Sequence, residues 1–260
     1  MLVTYGARGM PAMPALPCAA HNLGFSLIRM DIIPVIDLKG GVVVHARRGD
    51  RDNYRPLVTP LANSAEPRAV VDGILAHGDF NHLYIADLDA IGGGTPHLAI
   101  IHALALRHPR LRLWLDSGLR TPTQYTALPA LPNIDVVLGS ESLPSIEDYH
   151  ALCDVVPATR RVLSLDSSAQ GDPLGCAALF DDAALWPTRL IHMTLARVGS
   201  GGGPDFEGLA ALRARAPHCA LYAAGGVRDD ADLRALAAQG VAGALVATAL
   251  HDGRISTARI

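Results

Sequence analysis

The sequence predicts a (β/α)8 barrel, and three observations predict it. From Met30 onward, eight short apolar runs rich in Ile, Val and Leu alternate with helical segments. The alternation occupies about 230 residues, the usual span of one barrel without large insertions. A stretch from the first half of the alternation also recurs in the second. The bulk properties agree: 260 residues, 50% hydrophobic, 18% charged and a formal net charge of −3 suit one enzyme-sized domain. The charges are scattered, so no basic face for nucleic acid stands out.

The first strand, IIPVID (32–37), is apolar on both faces, as a strand covered on both sides must be, and closes on Asp37 before Gly40 and Gly41. VVVHARRGDRDNYRPL follows; it is too polar for a core strand and reads as a long active-site loop that opens with a hairpin. AEPRAVVDGILAHG then supplies a helix whose apolar positions recur at helical spacing. HLYIADL (82–88) is the second strand, PHLAIIHALALRHP the helix after it, and LRLWLD (111–116) and DVVLGS (135–140) the third and fourth strands. RVLSLD (161–166), RLIHMTL (189–195), ALYAAG (220–225) and GALVAT (243–248) complete the eight, with DDADLRALAAQG a helix before the last.

Residues 1–30 read as a disordered extension, and residues 31–260 as the barrel. From Gly9 to Ile28 there is no charged side chain, but Pro11, Pro14 and Pro17 argue against a membrane helix, and Pro17 before Cys18 spoils a lipoprotein-type cleavage site. Cys18, Cys153, Cys176 and Cys219 form no C-x-x-C pair, which fits a reduced cytoplasmic setting and no metal site. The expected partner is a small molecule carrying one or two phosphates. Nucleic acid, membrane and cofactor are not expected, and the chain is expected to be a monomer or a weak homo-oligomer.

The internal repeat aligns SGLRTPTQYTALPALPNIDVVLGS (117–140) without gaps on GGVRDDADLRALAAQGVAGALVAT (225–248). Gly118 and Arg120 recur as Gly226 and Arg228 at the same strand-to-helix junction, which implies two duplicated half-barrels. In each copy a small-residue turn precedes a helix, and the next strand ends in Gly139-Ser140 or Ala247-Thr248. Such turns let backbone N–H groups approach an anion closely. Gly118, Gly139, Ser140, Gly225, Gly226, Ala247 and Thr248 are therefore candidate phosphate ligands, and Gly202 and Gly203 in the glycine run after the sixth strand join them. Arg48 and Asp50, with Arg51, Asn53 and Tyr54, make a polar loop suited to clamp an anionic substrate.

Asp37 closes the first strand and Asp166 the fifth, so both project over the C-terminal mouth from opposite sides of the barrel. Two acids between two phosphate grips suit general acid/base chemistry; the bland alternative is that each caps the segment after it. Asp87 and Asp89 flank Leu88, and alternation puts them on opposite faces, as structural or substrate-orienting groups. His45 and His192 read as ordinary strand histidines, and Arg120 and Arg228 could face solvent.

IIPVIDLKGGVVV, LYIADLDAIGGG, SGLRTP, VVLGSESL, VLSLD, MTLARVGSGGGPDFEGL, YAAGGVRDDADLRAL and GALVATALHDGRIS resemble, in order, the HisA/HisF family of histidine biosynthesis over 31–257. DLDA (87–90) is similar to the isomerase branch, whereas the cyclase branch would want a lysine where His45 stands. The resemblance implies an Amadori rearrangement of an N-linked phosphoribosylamine on a ligand with two phosphates. It implies Asp37 as the general base, Asp166 as the general acid that opens the furanose ring, and Thr194 as an assisting group; it implies no cofactor. The chain departs from the branch in two loops: ARVGSGGGPD lacks the usual Asp-Gly-Thr after Thr194, and SSAQGDPLGCAALF lacks the tryptophan that closes over substrate. RRGDRDNYRP (47–56) resembles an offshoot in methanogens and methylotrophs that is associated with tetrahydromethanopterin-dependent one-carbon metabolism. A paralogue in that metabolism with another phosphorylated substrate, and a non-catalytic phosphometabolite-binding barrel, stay open beside the isomerase.

Overall fold

The computed structural model describes residue 1, residues 30–168 and residues 170–255, so the expected extension lies almost wholly outside the described residues. Its last residue, Met30, is buried in the core.

The chain opens with β1 (Asp31–Lys39), β2 (Val42–His45) and β3 (Arg55–Pro56). It continues through α1 (Pro67–His77), β4 (His82–Asp87), α2 (Leu88–Ile91), α3 (Leu98–Arg107), β5 (Arg112–Asp116), α4 (Pro122–Thr126) and β6 (Ile134–Gly139). The second half has α5 (Ile146–Val155), β7 (Arg161–Ser167), α6 (Ala178–Asp181), β8 (Arg189–Thr194), α7 (Phe206–Arg215), β9 (Ala220–Ala224), α8 (Asp230–Ala238), β10 (Gly243–Val246) and α9 (Thr248–His251).

Strands β1 and β4 to β10 pair in parallel in chain order, and β10 returns to pair with β1. The sheet is therefore a closed (β/α)8 barrel, as the alternation predicted. Strand β1 runs two residues past Asp37 because it turns back, through Gly40 and Gly41, into the antiparallel strand β2. Both glycines have positive φ, +59° and +81°, which is what a tight two-residue hairpin turn demands. The polar insert thus begins as a hairpin.

Two apolar layers hold the barrel. Outward residues such as Ile36, Leu38, Leu83, Ile85, Leu113 and Leu115 pack under the helices, and inward ones fill the lumen. At the lumen centre the rings of Trp114 on β5 and Tyr222 on the opposite strand β9 meet edge to face, with centroids 4.8 Å apart. Below them the fully buried Asp135 receives the guanidinium groups of Arg112 and Arg189. The lumen is therefore closed from beneath.

Trp114→Ala would leave Tyr222 and the surrounding aliphatic side chains around a void. It is expected to cost about 3–5 kcal/mol, read as a lower urea midpoint with an unchanged slope.

Candidate active site

Above the Trp114–Tyr222 floor a pocket opens at the C-terminal mouth, lined by Asp37, Arg51, Tyr84, Asp116, Glu141 and Asp166 on one side. Gly199, Gly201, Gly225, Gly226, Ala247 and Thr248 line the other side, with Arg254 nearby. Strand register explains why the acids converge. Asp37 lies level with Ala86, Ala86 with Asp116, and alternation turns Asp37 and Asp116 into the lumen. Asp166, level with Met193, points inward from β7 on the far side.

Asp166 is the most firmly held. Its backbone N–H donates to Ser140 Oγ (2.8 Å), while its carboxylate accepts from Ser164 Oγ (2.6 Å), Glu141 N (3.1 Å) and Ser140 Oγ (3.3 Å). Asp116 accepts from the Tyr84 hydroxyl (3.0 Å) and from Gly118 N (3.1 Å). Gly139 makes room for both: a Cβ there would stand 3.2 Å from Asp166 Oδ2 and 3.4 Å from Asp116 Oδ2. Among the described residues Asp37 meets no such donor, but it is open to the pocket from one side.

Burial pushes all three acids up, Asp37 and Asp166 to about 7 and Asp116 to about 6. Their charged neighbours differ. After burial, the guanidinium of Arg51 draws Asp37 back toward its ionised form. The carboxylates of Glu141 and Asp116 push Asp166 further toward its protonated form.

Arg51 sits on the loop between β2 and β3 and crosses the mouth to Glu141 Oε1, 2.5 Å away. Lys39 Nζ holds the same loop by donating to Arg51 O. The hairpin is fastened at its other end as well: Gly41 N donates to His97 Nε2 (2.9 Å) and Gly40 N to Asp89 Oδ2 (2.7 Å). His97 Nδ1 in turn bonds Asp87 Oδ1 at 2.9 Å. Asp87 and Asp89 therefore both serve one structural network and do not line the pocket.

The remaining candidates divide. Gly225 and Gly226, with φ of +97° and +86°, lie so close to Thr194 O and Gly203 O that a Cβ would collide, and with Ala247 and Thr248 they line the pocket. Gly118, at φ +61°, packs on Ile91, and its N–H is taken by Asp116. Ser140 is fully buried beneath Asp166. Gly202 lies on the exposed loop after β8, and the Arg228 guanidinium covers Gly203. Arg48 and Asp50 line an adjoining cleft with His45, Arg47 and Arg55 instead of the main pocket. Met193 and Leu195 line the pocket, while Thr194 between them does not, and its buried hydroxyl has no hydrogen-bond partner. His45 Nε2 reaches Thr248 Oγ1 at 3.2 Å, and His192 binds Asp205 at the start of α7. Arg120 and Arg228 fold back on Ile91 O and on Asp232. Trp186 is a core residue whose Nε1 donates to Leu179 O.

Tyr84, Asp116 and Glu141 escaped the sequence reading. Asp116 carried a signal of its own, since LRLWLD ends on an inward acid just as RVLSLD does.

A closed parallel barrel with acids paired across its C-terminal mouth has the plan of a barrel enzyme. The sequence matches the histidine biosynthesis protein family over residues 31–256, and the chain belongs to that family, an isomerase family in its curated members. An uncharacterized protein of Methanocaldococcus jannaschii is 29% identical over 86% of this chain and 94% of its own length. The 1-(5-phosphoribosyl)-5-((5-phosphoribosylamino)methylideneamino) imidazole-4-carboxamide isomerase of Halorhodospira halophila is 30% identical over 88% and 95%. That of Rubrobacter xylanophilus is 31% identical over 86% and 92%. Among the described residues, no helix is long and apolar enough to cross a membrane.

The sign of the pH dependence follows from the raised acids. A carboxyl whose folded-state pKa exceeds its unfolded one is favoured in acid, and that advantage drains away as pH rises from about 4 to about 7. Asp37→Asn is expected to raise unfolding free energy near pH 8 by on the order of 1–3 kcal/mol, with no gain near pH 4. Urea titrations at the two pH values decide it: an equal effect at both would mean Asp37 is an ordinary solvated acid.

Proposed function

We propose that this chain is an isomerase that carries out an Amadori-type rearrangement of a phosphorylated ribosylamine by acid/base catalysis. The observation that carries the reading is the pair Asp37 and Asp166, inward on opposite strands of one pocket and both raised by burial to about 7, with the Arg51 guanidinium beside Asp37 and the carboxylates of Glu141 and Asp116 beside Asp166. An acid and a base both poised near neutral pH suit proton transfer there. Asp166, surrounded by carboxylates, holds its proton and gives it to the ring oxygen as the nitrogen lone pair opens the furanose to a protonated imine. Asp37, drawn toward its ionised form by Arg51, takes the proton from C2. The resulting enolamine tautomerises to the aminoketose, and the two carboxyls exchange their proton states. Thr194 stays in the reading as a positioning residue, between Met193 and Leu195, which line the pocket.

The folded unit is residues 31–260, with 1–30 an extension. It works in the cytoplasm on a small molecule, as a monomer or weak homo-oligomer, without nucleic acid, membrane or cofactor. The phosphate is received by Gly225, Gly226, Ala247 and Thr248.

A second reading has an observation of its own. The loops after Asp166 and Thr194 lack the tryptophan and the Asp-Gly-Thr of the histidine-pathway isomerases, and the Methanocaldococcus relative covers nearly the whole barrel. These favour the same chemistry on a different phosphorylated substrate, in one-carbon cofactor metabolism.

Complementation of an isomerase-deficient histidine auxotroph separates the two. Growth that is lost in Asp37→Asn and Asp166→Asn supports the histidine-pathway reaction. No growth from folded protein points to the other substrate. In a purified assay each Asn variant should lower kcat by about 10²–10⁴-fold with little change in KM. Turnover retained in both would remove the two acids from the chemistry, and a native protein that binds phosphorylated ligand without turning it over would be a binding protein.

A further inference from the structure

The two halves of the mouth are built on one pattern but do not carry the same charge. Strands β5 and β9 end at Asp116 and Ala224, which hold corresponding places in the repeat. Gly118 matches Gly226, Ser140 matches Thr248, and one residue further Glu141 matches Ala249. Where the first half has two carboxylates, the second has two alanines.

The backbone donors differ accordingly. In the first half Gly118 N donates to Asp116 and Glu141 N to Asp166, each at 3.1 Å. The N–H groups that would cradle a phosphate there are already satisfied by the protein's own carboxylates. In the second half Ala224 has nothing to offer Gly226 N, and the lining residues there include no acid. Three of the pocket's four carboxylates, Asp37, Asp116 and Glu141, belong to the first half, and the fourth, Asp166, stands on β7 beside Glu141, whose amide it holds; Arg51 is the cation bonded within this group. A phosphate placed there would meet like charge in a buried site, whereas an ammonium or N–H donor would find acceptors on several sides.

We propose that Asp116 and Glu141 are specificity-determining residues that make the first half of the mouth an amine pocket, so that the ligand is a monophosphate with its amine end there and its phosphate at Gly225, Gly226 and Thr248. This rests on the reading of the pocket as the substrate site, and narrows that substrate from two phosphates to one.

Calorimetric titration with ribose 5-phosphate, aminopentyl phosphate, pentyl phosphate and pentane bisphosphate tests it. The native protein is expected to bind aminopentyl phosphate about tenfold more tightly than pentyl phosphate, and the bisphosphate most weakly. Asp116→Ala with Glu141→Ala, which copies the second half, should reverse the order of amine and bisphosphate. Asp116→Asn with Glu141→Gln keeps the shape and should abolish the amine preference, even if the alanine pair fails to fold. A native protein that prefers the bisphosphate would overturn the proposal while leaving the substrate site in place. No binding of any of the four, ribose 5-phosphate included, would overturn the substrate-site reading and this proposal with it.

Discussion

Carboxylates crowded into a buried pocket set the terms for everything around them. Asp37, Asp116 and Asp166 share one chamber with Glu141, and the guanidinium of Arg51 reaches in to offset them. Burial alone favours the neutral acid, and donors offset it at two of the three: Ser164 and the Glu141 amide at Asp166, Tyr84 and the Gly118 amide at Asp116. Gly139 follows from the same crowding, because a side chain there would press on two acids at once. The hairpin follows too, since it is the element that delivers Arg51.

Much of the fold was legible because parallel strands covered on both faces announce themselves as continuous apolar runs, and all eight runs became barrel strands. The inward acids Asp37 and Asp166 were legible for a related reason: a carboxylate that ends such a run has no inexpensive place except the rim. The same argument applied to Asp116, yet the repeat was matched from Ser117 onward, one residue too late to set Asp116 beside Ala224. Elsewhere period-two reasoning failed where a strand stops. Asp87 is the last residue of β4 and Leu88 already the first of α2, so Asp87 and Asp89 are not on opposite faces of anything; both converge on His97. Alternation did hold at Thr194, where inward Met193 dictates that its neighbour turn away, a point that motif resemblance alone does not register.

The polar insert after β1 illustrates a limit of another kind. Its composition identifies a loop, and the glycine pair identifies a hairpin, but its position comes from partners far away in sequence. Asp89 and His97 grip the turn, Val198 O accepts from Arg48 N, and Glu141 takes the Arg51 guanidinium. These contacts tie the first, second, fourth and sixth strand-to-helix loops of the barrel together around the mouth. No local pattern in the insert encodes them.

Because Trp114 and Tyr222 seal the lumen and the Asp135 ion pairs close it from below, the chamber is a cul-de-sac. Whatever enters must reverse along its own path, beneath the strap that Arg51 draws to Glu141. Substrate, product and displaced water then share one doorway, and none can move through while another occupies it. Turnover in such a vessel is a matter of queueing as much as of bond making: the strap that tunes Asp37 also spans the mouth.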